Sequence, residues 1–181
     1  AVENAHAPFD RCNALWSPGE EGDRAAADLI ACVEDCADAE VGTLVVHLTD
    51  GAVPPPCSPL GLERLRPVVD RAGRLGVRLA FENLRHPEHL KRVLDAFADP
   101  TVGLCYDSWL GDYGARLFAL HLHDNDGIRD SHALPFDGGI DWPGLASRIA
   151  ATGYTGPTTL EVEAWGGYEN RMSPEEFLRR A

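Results

Sequence analysis

Six residues able to bind a metal or move a proton stand at the ends of apolar runs: His6, His47, Glu82, Asp107, His121 and Glu161. Three imidazoles and three carboxylates brought together would repel and desolvate one another unless a cation sat among them. The chemistry this set points to is therefore that of a divalent ion. Oxygen-rich sites with one or two imidazoles suit Mn²⁺, Mg²⁺, Co²⁺ or Zn²⁺, and no thiolate site is indicated. Carboxylates in such a site can also act as general acids and bases.

The elements that must position these residues are legible. Apolar runs at 41–48 (VGTLVVHL), 77–81, 102–106, 117–122 and 158–162, with a weaker one at 2–7, read as strands buried on both faces. Helical patterns fall between them at 22–37, 59–75, 87–98, 143–152 and 174–180. Ser17-Pro18 with Glu20, Ser58-Pro59, and Ser173-Pro174 with Glu176 read as helix starts, each a cap followed by a first-turn proline. Between 107 and 117 there is room only for a turn or a very short helix. Alternating strands and helices imply an α/β fold with a parallel sheet, whose C-terminal strand ends share the face that holds the active site. No GxGxxG follows a strand and no GxxxxGK[ST] occurs, which weakens a nucleotide-binding reading.

Composition bounds the rest. The 181 residues, 44% hydrophobic and 25% charged, suit one globular domain over 1–181. A net charge of -13, from 16 basic and 29 acidic residues, disfavours nucleic acid as a partner. Five irregularly spaced cysteines with no CxxC pair read as reduced thiols of a cytoplasmic protein, Cys32 and Cys36 as packing. No apolar run reaches 18 residues, so no transmembrane helix is expected, and residues 1–9 lack a signal-peptide pattern. Arg64, Arg66, Arg71, Arg74 and Arg78 read as a solvated helix face, Pro54-Pro55-Pro56 as a stiff loop, and Trp142 and Trp165 as core.

Eight short stretches in order carry a family resemblance: His6-Ala7-Pro8-Phe9, Val45-Val46-His47, Ala80-Phe81-Glu82-Asn83, 102–107 (VGLCYD), 121–125 (HLHDN), Asp130-Ser131-His132, 138–142 (GGIDW) and 153–161 (GYTGPTTLE). Together they resemble the xylose-isomerase-like barrels, a superfamily of sugar-phosphate isomerases and epimerases that also contains metal-dependent apurinic-site endonucleases. The resemblance implies a TIM-type (β/α) barrel. A full barrel takes about 250 residues and eight strands. The match begins at what resembles the family's third strand, so an incomplete barrel lacking the first two strand–helix units is expected. Such an open arc exposes two strand edges, which a homo-oligomer would cover.

The resemblance also implies roles. One divalent metal falls to Glu82, Asp107, His121 and Glu161, with His123 the rival of His121, since residues two apart on a strand face the same side. A metal held by two adjacent oxygens of a ketose polarises the carbonyl and stabilises an enediolate. Glu82 and Glu161 are the candidate proton-transfer carboxylates. His6, His47, His123, Asp130 and His132 are expected to line the pocket and hold hydroxyls. The expected function is a metal-dependent isomerase or epimerase of a sugar, sugar phosphate, or related polyol or keto acid. One departure bears on the alternative of an endonuclease-like hydrolase acting on DNA: the family's histidine three residues after the strand-end Asp is Leu110 here. A degenerate, non-catalytic barrel is the third reading and predicts no tight metal.

Overall fold

A computed structural model describes residues 2–128, 131–163 and 172–181. Asp130 and Trp165 lie outside the described residues. The chain forms two compact units, Ala1–Ala119 and Leu120–Ala181. The strands β1 (Ala5–His6), β2 (Thr43–Val46), β3 (Arg78–Glu82), β4 (Val102–Tyr106) and β5 (Leu117–Leu120) form one sheet in that order. All five are parallel, and the sheet is a half-barrel. Register is direct, with Val45 opposite Ala80 and Glu82 opposite Cys105.

In the first unit, α1 (Glu20–Asp38), α2 (Pro59–Leu75) and α3 (Pro87–Ala96) alternate with the strands. Val45, Ala80, Cys105 and Ala119 make one buried cluster of small side chains, against which Phe118 packs. The β2 residues are all buried, as expected of a parallel strand covered on both faces. Helix α2 begins at the expected Pro59 and ends at Gly76, whose φ of 71° supplies the left-handed cap that glycine adopts without strain. The second unit carries α4 (Trp142–Ala151) and α5 (Pro174–Arg180), the latter capped by Ser173 accepting from the Glu176 N–H. Among the described residues no helix is long and apolar enough to cross a membrane. No disulfide joins any of the five cysteines.

Several sequence expectations need correction. Helix α1 starts at Glu20 behind Gly19, and Ser17 closes the short 3-10 turn Cys12–Trp16 instead of opening α1. Ser58 holds the N-cap position of α2 as expected, but its hydroxyl donates to the Trp16 carbonyl instead of accepting from the first turn. The expected strand at 158–162 is a single parallel bridge, Leu160 to Leu122, with two backbone bonds. Pro157, which has no N–H, stands just before it and shortens any ladder there. Arg64 does not lie on a solvated face. Its side chain is 11% exposed, and it donates to the carbonyls of Ala14, Leu15, Ser17 and Gly19 and to Asp23.

The proline loop is stiffened from outside. His89 on α3 is buried, and its Nε2–H donates to the Pro55 carbonyl at 3.0 Å. Burial lowers its pKa against the opposing pulls of that carbonyl and of Glu88. The folded state therefore resists protonating a group that the unfolded chain protonates near pH 6.5, so this stability is present above that pH and lost below it. The thermal unfolding midpoint of the protein is expected to fall between about pH 7 and pH 5 more steeply than that of His89→Gln, which keeps a donor but does not titrate. Equal slopes would show that His89 contributes nothing to the decline.

Candidate metal and acid–base site

In the first unit the strand ends converge on Glu82. It is 3% exposed and closes β3. Its Oε2 lies 3.3 Å from His6 Nε2 and 2.9 Å from His47 Nε2. His6 Nδ1 lies 2.7 Å from the Ala7 carbonyl, which only accepts, so Nδ1 carries the hydrogen. In the neutral ring Nε2 then presents a lone pair toward a carboxylate oxygen. Two acceptors face each other there, an arrangement that calls for a proton or a cation. An imidazole whose other nitrogen donates to a carbonyl is also the form in which histidine ligates metals. Asp107 stands one residue past β4, and a carboxylate oxygen of Asp107 lies within 4.8 Å of one from Glu82. Oxygen and nitrogen donors at this spacing, with Glu82 buried, Asp107 and His47 half-buried and His6 exposed, fit a hard or borderline divalent ion.

The second unit gathers the remaining candidates. His121 Nδ1 lies 3.2 Å from Glu161 Oε2, and the His121 side chain is 7% exposed. His123 stacks on His132 with ring centroids 4.3 Å apart and planes 13° from parallel. His132 Nδ1–H donates to the Glu161 carbonyl at 2.9 Å. The two histidines expected on one side thus have different neighbours: His121 a carboxylate, His123 another imidazole.

Two residues matter more than their sequence suggested. Asn83, fully buried, bridges the ends of β3 and β4. Asp124, also fully buried, accepts from the N–H groups of Asn125, Phe136 and Ile140 and from Trp142 Nε1. Burial pushes its carboxyl up, but the bonds from Trp142, Ile140 and Asn125 outweigh that and hold it below the usual range. Trp142, read as core, is half-buried with its indole N–H bound here. Both lie in stretches that carry the family resemblance, 80–83 and 121–125, and follow a strand-end candidate directly, but neither signal assigns them a partner.

The comparisons agree with the fold. Residues 3–180 match the Xylose isomerase-like TIM barrel family, and the chain belongs to it. An uncharacterised protein of Sinorhizobium fredii, y4fM, is 42% identical over 83 residues, 39% of this chain and 27% of its own. The chain spans 27% and 62% of two curated relatives it matches. A D-tagatose 3-epimerase-like protein superposes with a TM-score of 0.72 at 20% identity, over 88% of this chain and 70% of that one. A Thermus thermophilus protein, TTHB071, whose crystals were soaked with ZnCl2, does so with a TM-score of 0.59 at 29% identity, over 75% and 63% of the two chains.

Proposed function

We propose that this chain belongs to a metal-dependent isomerase or epimerase acting on a sugar, sugar phosphate, or related polyol or keto acid. The observation that carries the reading is the buried Glu82 carboxylate with a carboxylate oxygen of Asp107 within 4.8 Å of one of its own, two like charges that a bound cation would reconcile. Glu82, Asp107, His121 and Glu161 would hold one divalent ion, Mn²⁺, Mg²⁺, Co²⁺ or Zn²⁺. His121 is preferred to His123 because it already lies beside a carboxylate. When bound, the ion supplies Lewis-acid polarisation of adjacent substrate oxygens. Glu82 and Glu161 then serve as the two proton-transfer groups, one removing the proton beside the carbonyl and the other returning one to the opposite face. Return to the neighbouring carbon instead gives aldose–ketose isomerisation. His47, His123, His132 and Asp130 are assigned to substrate hydroxyls, and His6 to hydroxyls or to the ion's surroundings. Family membership and the epimerase-like neighbour support a carbohydrate substrate.

One observation favours a second reading. His6 and His47 both approach Glu82 Oε2, a donor set that a further ion would fit, as expected of an endonuclease-like hydrolase. The net charge of -13 opposes it.

Metal content per chain of the purified protein, beside Glu82→Ala, tests both. About one divalent ion, lost in the variant, together with ketose-dependent proton exchange, is expected. Two or three ions with cleavage of abasic DNA would replace the isomerase reading with the second. A folded protein that binds no ion would overturn both.

A further inference from the structure

We propose that Asn83 is a positioning residue for Asp107, holding that carboxylate where it can share an ion with Glu82; this deepens the reading above and rests on it. The case begins with the β3–β4 ladder. Glu82 pairs with Cys105, and the last regular bond runs from the Asn83 N–H to the Cys105 carbonyl at 3.2 Å. The next step of a parallel ladder would run from the Asp107 N–H to the Asn83 carbonyl. Here that N–H donates instead to the Asn83 side-chain oxygen, at 2.7 Å. The vacated Asn83 carbonyl accepts from the Ser108 hydroxyl at 3.0 Å. Asn83 Nδ2 closes the ring by donating to Ser108 Oγ at 3.1 Å.

Each donor in this ring is fixed. A backbone N–H only donates, so the atom facing Asp107 N must be the amide oxygen, and Nδ2 falls toward Ser108. Ser108 has one hydroxyl hydrogen, spent on the Asn83 carbonyl, so it accepts from Nδ2. The substitution of a side-chain oxygen for a backbone carbonyl moves Asp107 off the regular strand course. It does so from the residue next to Glu82, and Asn83 itself is fully buried although Ser108 is exposed, so the oxygen that the Asp107 N–H would lose is not simply replaced by water. Groups that orient ligands in this way typically contribute 10- to 100-fold to metal affinity.

Cobalt(II) binding, followed by calorimetry and by its visible spectrum, tests the assignment on the wild type, Asn83→Ala, Asn83→Asp and Ser108→Ala. Leu65→Ala, a buried α2 position away from the strand ends, controls for general destabilisation. Asn83→Ala is expected to lose about 10- to 100-fold in affinity with an altered spectrum. Asn83→Asp, which keeps an oxygen for the Asp107 N–H, is expected to recover binding, and Ser108→Ala to lose less than Asn83→Ala. Wild-type affinity in a folded Asn83→Ala, or an equal loss in Leu65→Ala, would overturn the inference while leaving the metal site standing. If Asn83→Ala does not fold, Ser108→Ala decides: a measurable loss with a shifted spectrum supports the inference, and unchanged binding overturns it. A wild-type protein that binds no cobalt fails the proposed function first, before any variant is compared, and the inference with it.

Discussion

Glu161→Gln is expected to slow net epimerisation by about 10²- to 10⁴-fold, the usual contribution of a positioned general acid or base. Glutamine keeps the size of the side chain and an oxygen beside His121 Nδ1, which now lies 3.2 Å from the carboxylate. It cannot accept or return a proton. Under the two-carboxylate scheme Glu82 remains competent, so the variant should not be inert. One epimer, the one whose proton faces Glu82, is expected to exchange that proton with D₂O and recover its own configuration. The opposite epimer is expected neither to exchange nor to convert. Proton NMR on each epimer separately reads both outcomes. Exchange of both epimers, or of neither, would sink the scheme of one carboxylate on each face.

Asp124→Ala is expected to cost about 3 kcal/mol or more, since each buried donor left without an acceptor costs about 1–3 kcal/mol. The carboxylate accepts from the backbone N–H groups of Asn125, Phe136 and Ile140 and from the Trp142 indole, with Gly138 adding a further backbone bond, and it is fully buried. Its loss strands those donors together. One of them belongs to Phe136, whose φ of 73° is strained for an aromatic residue and whose N–H is held by Asp124 Oδ2. Asp124→Asn should fall between wild type and alanine, because its NH₂ meets donors rather than accepting from them. The sign of the pH effect follows from the depressed pKa. The unfolded chain protonates this carboxyl first, so its contribution is complete above about pH 4 and lost as the pH falls through the folded value. Urea unfolding at pH 7 and at pH 3 measures both. An alanine variant within about 1 kcal/mol of wild type at pH 7 would show that these donors find water instead.

The sequence read the strand ends well because a parallel strand buried on both faces leaves a continuous apolar run, and the residue ending that run stands out. Glu82 and Asp107 were found that way. Helix α2 was legible at both ends, from Pro59 and from Gly76. The start of α1 was not. Ser17 had the grammar of a cap, but its carbonyl is bound by Arg64, 47 residues later. Ser58 likewise spends its hydroxyl on Trp16, 42 residues earlier. Periodicity placed His121 and His123 on one side and could go no further. What separates them is a carboxylate at 161 and a ring at 132, contacts that no local pattern encodes. Asn83 and Asp124 escaped for the same reason. Each acquires its role from N–H groups elsewhere in the chain, and an isolated Asn or Asp in a sequence resembles any turn residue.

The Arg64 contacts bear on how the first unit opens. The carbonyls at 14, 15, 17 and 19 receive their hydrogen bonds from a side chain on α2. The stretch leading into α1 therefore draws part of its hydrogen bonding from α2, beside its own short-range backbone bonds and the Trp16 bond to the Leu48 carbonyl. In the language of native-state exchange, the two are expected to share one foldon: a fluctuation that undocks α2 loosens the turn before α1 in the same event, although Arg64 lies 45 residues beyond Gly19 in the chain.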